Sequence, residues 1–313
     1  MRIHLDTDLG SDPDDVAALT YLLGRPDVQL VGVTTVDDPG GQRAGYVSEV
    51  LHLAGRRDVP VAAGAEASLS TGRPSGRQFP GAPYWPAEVP PKPGPLSGAL
   101  DLLSASVAAG AVVVGIGPAT TLALLEQRSP GALAGTRVFL MGGFVEPPQP
   151  GLPQWGAEDD WNVTCDPVAA TMVRSRAGRL TLVPLAVTAQ VHLRERDLPR
   201  LRAAGALGRL MADQARAYRL DAGKAALAKG HPGLPDDLVN FHHDPLTAAV
   251  AAGWPGVTVH TSTLRPVAGD GAARLATTSF DDPARRLVDL VVSVDGPAFA
   301  EHWLRTVEAL PRD

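Results

Sequence analysis

RIHLDTDLGSDPDDVAALTYLL, residues 2–23, reads as a short strand, five aspartates within ten residues, and then an apolar-periodic helix. No Lys or Arg lies among the acids. Part of this is ordinary helix chemistry: Asp12 suits the N-cap, Pro13 the first helical position, and Asp14 and Asp15 the positive end of the helix dipole. Capping accounts for only one or two of these acids. Asp6 and Asp8 stand at the carboxyl end of the strand, on one side of an extended chain, so their charges converge with those of the helix start. Such a set raises its own carboxyl pKa values unless a cation compensates. Oxygen ligands with no Cys nearby fit Ca²⁺ or Mg²⁺, and crowded carboxylates favour Ca²⁺.

The strand-then-helix unit repeats along the chain. Aliphatic or β-branched runs at 2–5, 28–35, 59–63, 111–114, 137–141, 180–184 and 257–260 predict strands. Helical patterns at 16–23, 42–54, 96–109, 120–126, 167–175 and 199–218 lie between them. This alternation predicts an α/β fold, a mostly parallel open sheet with helices on both faces, in a single domain over 1–313. In such sheets the ligand site lies beyond the carboxyl ends of the strands, which is where the aspartates fall.

Two irregular stretches interrupt the pattern. Residues 68–96 carry Pro74, Pro80, Pro83, Pro86, Pro90, Pro91, Pro93 and Pro95, with Tyr84 and Trp85 among them. Such a long loop inside a compact domain reads as a lid or binding loop. Glu146–Gly156 reads as a second site-facing loop.

Composition excludes several classes. A net charge of −6 and no basic excess argue against a nucleic-acid partner. The start turns acidic too soon for a signal peptide, and no run is long and apolar enough to span a membrane, so the expected location is the cytoplasm, without membrane contact. The single cysteine, Cys165, excludes an internal disulfide and a thiolate-clustered metal site, and reads as a buried small hydrophobe.

At Asp6–Asp15 the chain resembles the nucleoside hydrolase family (inosine-uridine preferring), whose opening motif is Asp-x-Asp-Pro-Gly-x-Asp-Asp before a small-residue helix. Here two residues are inserted and Leu9 stands in place of the Pro. The resemblance continues in order: LVGVTTV at 30–36, VPVAAG at 59–64, Gly117-Pro118-Ala119-Thr120-Thr121, Leu140-Met141-Gly142-Gly143, Asp160-Trp161-Asn162 followed by Asp166-Pro167, and His243-Asp244-Pro245-Leu246. It implies metal ligands at Asp8, Asp15, Thr120 (through its carbonyl) and Asp244, with Ca²⁺ rather than Mg²⁺ as the ion. Asp8 would also take the proton of the attacking water, and His243 would protonate or polarise the leaving base. Substrate contacts fall on Asp12 or Asp14, Met141, Gln154, Asp160 and Asn162. Asp166 also reads simply as the N-cap of the helix at Pro167. The family's Asn after the second strand is missing, Asp37-Asp38-Pro39 standing there, and its His-containing loop is replaced by the Pro-rich stretch.

The implied reaction is Ca²⁺-dependent hydrolysis of the N-glycosidic bond of a small-molecule ribonucleoside or related N-riboside, in purine or pyrimidine salvage, by a homodimer or homotetramer. Its chemistry parallels glycoside hydrolysis, with an activated water on one face of the sugar and help for the leaving group on the other. Stacking of the base on Trp161, Tyr84 or Trp85 is an alternative to protonation by His243. Two other readings compete. One is an aspartyl-phosphate phosphatase using Asp6 as nucleophile with Mg²⁺. The other is a Ca²⁺-dependent nucleoside or ribose binder that lacks turnover.

Overall fold

The computed structural model describes residues 1–76, 79, 84–266, 274–277 and 286–311; Pro80 and Pro83 of the Pro-rich stretch lie outside them. Nine strands form one sheet: β1 (Arg2–Thr7), β2 (Gln29–Val36), β3 (Val61–Ala65), β4 (Val112–Gly115), β5 (Arg137–Met141), β6 (Arg179–Val183), β9 (Val257–Pro266), β10 (Leu275–Thr277) and β11 (Arg286–Val294), in the order β10-β9-β11-β6-β5-β4-β1-β2-β3. The remaining two, β7 (His192–Arg194) and β8 (Leu238–Phe241), pair as a separate antiparallel ribbon. From β3 across to β11 the pairings are parallel, and only β9 runs against its neighbours. The mostly parallel sheet expected from the alternation is therefore present. All seven predicted strands are found, with boundaries shifted by a few residues.

Twelve helices accompany the strands among the described residues. They are α1 (Asp14–Leu23), α2 (Gln42–Leu53), α3 (Leu96–Ala108), α4 (Thr120–Arg128), α5 (Trp161–Thr164), α6 (Pro167–Arg176), α7 (Leu185–Thr188), α8 (Leu198–Ala203), α9 (Gly205–Asp221), α10 (Lys224–Gly230), α11 (His243–Ala251) and α12 (Gly296–Glu308). The helix expected over 199–218 is two helices. Gly205 sits at φ +95°, a left-handed conformation that breaks the helical run between α8 and α9. None of these helices is long and apolar enough to cross a membrane.

The strands feed two cores, because successive side chains leave a strand on opposite faces. Val112 and Val114 of β4 join Phe139 and Met141 of β5 in one cluster with α1, α11 and α12. Val113, Val138 and Leu140 join the other with α3, α4 and α6. Burying each such side chain contributes about 1.5–3 kcal/mol, so the central strands are fixed from both sides. Trp303 of α12, 1% exposed, donates its indole N–H to the Ala17 carbonyl at 3.0 Å and so anchors α1. Cys165 is partly exposed rather than buried, because it stands just after the four-residue α5, where it lines a surface pocket with Thr71, Arg73 and Trp161.

Candidate functional site

The carboxyl ends of β1, β4, β5 and β6 open on a cavity of about 260 Å³. Asp8 follows β1, Ile116 follows β4, Met141 ends β5 and Leu185 follows β6, and all four line it. Asp12, Asp14, Asp15, Asp160, Asn162, His243 and Asp244 line it too. Thus nine of the residues expected from the sequence converge on one cavity: Asp8, Asp12, Asp14, Asp15, Met141, Asp160, Asn162, His243 and Asp244.

Asp14 and Asp15 open α1, and Asp244 lies in the first turn of α11, which packs beside α1. Each of the three offers a carboxylate oxygen within 4.8 Å of the other two, and all three are buried. Two helix N-termini thus bring three acids together, their dipoles offsetting part of the charge. The offset is incomplete. Burial, and then the neighbouring carboxylates, push Asp14, Asp15 and Asp244 well above the usual carboxylate range. Asp14 completes this cluster, although the sequence assigned it only to the sugar. The donors are all hard oxygens, buried and mutually repelling, which fits a divalent cation.

Neighbouring groups fix the acids. Trp161 donates its indole N–H to Asp8 Oδ2 at 3.1 Å, and the Thr7 hydroxyl donates to Asp15 Oδ1 at 2.5 Å. The amide N–H of Asp244 donates to Asp14 Oδ2 at 3.3 Å. The backbone carbonyl of Asp8 is held by the guanidinium of Arg43, a fully buried residue the sequence reading missed. Arg43 also pairs with Asp37 at 3.2 Å and lies 5.0 Å from the Phe79 ring centre. The Asp37-Asp38-Pro39 departure is thereby explained: Asp37 receives Arg43, while Asp38 accepts the Arg43 and Ala44 amide N–H groups at 2.7 and 3.0 Å and starts α2.

Gly117 lies so close to Asp8 that a Cβ there would stand 2.8 Å from Asp8 Oδ1 and 2.9 Å from its backbone nitrogen. Gly117→Ala is therefore expected to destabilise the fold by about 1–3 kcal/mol through overpacking. The same substitution should lower turnover by displacing Asp8. Thermal unfolding and a rate assay check this together; wild-type values in both would mean that Asp8 is not held against this turn.

The other expected residues have these surroundings. Asp6 is fully buried, accepts the Thr34 hydroxyl at 2.5 Å and does not line the cavity, so it lacks the access a phosphatase nucleophile needs. Thr120 also stays out of the lining, its hydroxyl donating to Asp166 Oδ2 at 2.7 Å. Asp166 does N-cap α6 through the Ala169 amide, and it further gathers the Leu69 and Ser70 amides of the segment after β3. Gln154 is exposed and turns its amide onto the carbonyls of Gln149 and Leu152, while the adjacent Trp155 faces the cavity. Asp160 accepts the Gly143 and Val163 amides at 2.5 and 3.2 Å, and Asn162 bridges the Ile116 and Met141 carbonyls at 3.0 and 3.3 Å.

Of the three aromatic candidates only Trp161 lines the cavity. Tyr84 donates to Asp221 at 2.9 Å, and Trp85 stacks on Tyr46 with ring centres 4.3 Å apart. None of the described residues of the Pro-rich stretch lines the cavity. Trp155 and Tyr218 supply rings there instead, together with Lys224 and Asp159. Trp155 meets Phe241 and His243 edge-on, with centres 5.2 and 6.0 Å apart. His243 stacks on Phe241 at 5.1 Å and shares a 2.7 Å hydrogen bond between its Nδ1 and the Thr188 hydroxyl. Burial, reinforced by Lys224, lowers its imidazole pKa to about 3. His243 is therefore uncharged near neutral pH, and any help it gives a leaving group comes from a neutral N–H. Asp12 is held below the usual carboxylate range despite its burial, by Lys224 and by bonds from Tyr218 and Asn240.

Known proteins share this architecture. The family described as inosine-uridine preferring nucleoside hydrolase matches residues 3–301. A pyrimidine-specific ribonucleoside hydrolase, RihA, from Shewanella sp. (strain MR-4) is 30% identical over 220 residues, covering 64% of this chain and 64% of its own. An uncharacterised protein of Schizosaccharomyces pombe is 29% identical over 214 residues, 65% of this chain and 67% of its own. The match thus spans just under two thirds of the bacterial relative's length. A plant nucleoside hydrolase, PpNRh1, superposes with a TM-score of 0.78 at 22% identity, and a purine-preferring ribonucleoside hydrolase from Gardnerella vaginalis with 0.75 at 24%, each covering 99% of both chains.

Proposed function

The chain belongs to the inosine-uridine preferring nucleoside hydrolase family, and from that we propose that it hydrolyses the N-glycosidic bond of ribonucleosides in a Ca²⁺-dependent reaction. The observation that carries the reading is the buried Asp14–Asp15–Asp244 cluster in one cavity with Asp8. These four carboxylates would hold the cation, and their number and crowding favour Ca²⁺ over Mg²⁺. A bound divalent cation supplies positive charge that lowers the pKa of a nearby water and fixes the ribose diol.

Asp8 takes the proton from the attacking water, its carboxylate aimed by the Trp161 N–H and its backbone by Arg43. Asp14 stands directly before Asp15 at the start of α1, as the penultimate acid of the motif does, and so takes the sugar hydroxyls alongside the cation. Asp12 is the extra acid, tied to Asn240 at 2.7 Å. Met141, Asp160 and Asn162 form the wall that keeps the ribose in register. With this activity go purine or pyrimidine salvage, a cytoplasmic location, and a homodimer or homotetramer.

A panel of purine and pyrimidine ribonucleosides assayed for free ribose, with Ca²⁺ and with a chelator, tests the proposal. Release with at least one nucleoside, lost on chelation and restored by Ca²⁺, is expected. Tight nucleoside binding with no ribose over hours would establish a binder instead.

A further inference from the structure

Hydrolysis of a nucleoside needs help at the base as well as at the water, and no motif supplies a charged group for that side. Lys224, the first residue of α10, is 8% exposed and lies in the cavity wall. Its ammonium nitrogen stands 5.1 Å from the centre of the Tyr218 ring and 4.9 Å from that of Phe241. Both rings attract a cation to their faces and strip it of water. Phe241, fully buried, in turn stacks on His243 and meets Trp155 edge-on, so it backs the cavity wall that Trp155, His243, Tyr218 and Lys224 form.

The ammonium makes no ion pair with a carboxylate and no hydrogen bond to a protein acceptor among the described residues. An ammonium has three donors, and a largely buried one left without acceptors is costly unless a ligand supplies them. Asp12 feels its field without closing on it. The arrangement is that of a cation held in place by rings and directed at whatever fills the cavity.

We propose that Lys224 is a catalytic residue that binds the departing base and pairs with the negative charge that develops on it. This rests on the nucleoside-hydrolysis reading of the same cavity. As the C1′–N bond breaks, its electron pair goes to the base nitrogen, facing the ammonium. Water oxygen bonds to C1′ and gives a proton to Asp8, which passes it to solvent, and the departing base nitrogen takes one proton from solvent, so that the net change is addition of H and OH from water. Charge stabilisation of this kind acts only as the bond breaks, and so raises kcat.

A consequence is discrimination by aglycone charge. Uridine and inosine carry neutral bases that leave with negative charge, which Lys224 stabilises. Nicotinamide riboside carries a positive aglycone that leaves neutral, so the ammonium repels it and has no charge to stabilise.

The test compares Lys224→Met, whose side chain has similar length and no charge, with the wild type, both loaded with Ca²⁺, on uridine, inosine and nicotinamide riboside. The variant should lose about 100-fold in kcat/KM on its better neutral nucleoside, and lose nothing or gain on nicotinamide riboside. Lys224→Arg should restore part of the lost rate. Lys224→Gln carries the same comparison if the Met variant does not reach a wild-type far-UV spectrum and melting temperature. An equal loss on all three substrates would make Lys224 a packing residue and overturn the inference, as would no loss at all. No ribose from any substrate with the wild type would instead overturn the hydrolase reading itself, and the inference with it.

Discussion

Asp8→Asn is expected to lower kcat for ribose release by about 10³-fold, the usual range for loss of a positioned general base. At saturating Ca²⁺, nucleoside binding should change by no more than about threefold, because Asn keeps an oxygen donor for the cation and loses only the basicity that the proton transfer needs. A loss of that size corresponds to about 4 kcal/mol of barrier. The substitution is close to isosteric, so the Trp161 N–H and the Arg43 guanidinium keep acceptors at the side-chain and backbone oxygens. Gly117, which leaves room for the side chain, is likewise undisturbed. Steady-state kinetics with a separate equilibrium measurement of nucleoside binding distinguish the roles. Wild-type kcat would remove Asp8 from the proton transfer; equal losses in binding and in kcat/KM would make it chiefly a ligand of the cation.

The second large effect concerns stability. Adding Ca²⁺ to the metal-free protein is expected to raise its melting temperature, and by more at pH 8 than at pH 6. In the metal-free fold Asp14, Asp15 and Asp244 have pKa values well above their ordinary 3.8. Stability from such raised carboxyls is complete below the unfolded value and is lost as pH rises through the folded one. A cation replaces what is lost, because it favours the ionised form and displaces the protons. At a concentration about 100 times Kd the gain is about 2.7 kcal/mol. The buried imidazoles pull the other way: His4 and His242 are lowered to about 3 and His192 to about 4, so their contribution is present above 6.5 and falls away as the pH drops below it. That effect is common to both forms and cancels in the calcium-induced difference. A shift that is absent, or the same at both pH values, would show that these acids do not share a cation.

Much of this arrangement was legible in the chain. The seven strands predicted from aliphatic runs all formed; the central ones are buried on both faces and so are apolar along their length, whereas β9 is largely exposed over 257–260. The reading left out β11, whose run RLVDLVVSV carries an Asp within an otherwise apolar strand, the three-residue edge strand β10, and the short ribbon strands β7 and β8. The wrongly continuous helix over 199–218 failed at a single residue, Gly205, whose left-handed backbone no periodicity reveals. Gln154 was expected in the site from its alignment, but its amide found nearer carbonyl partners in its own loop.

What the sequence determined by itself is the acidic chemistry: Asp8 at a strand end and Asp14 and Asp15 at a helix start are local positions, set by strand and helix periodicity within ten residues of chain. Tertiary structure alone decided how those acids are completed. It placed Asp244 against them from α11, put Trp161 and Arg43 on Asp8, and set Lys224 between Tyr218 and Phe241. Each of these depends on packing between segments distant in the chain, and a lone Arg, Trp or Lys at such a position has no local pattern to mark it. The physical reason is that helix and strand propensities act over a few residues, whereas a buried charge is tolerated only where distant groups happen to meet it.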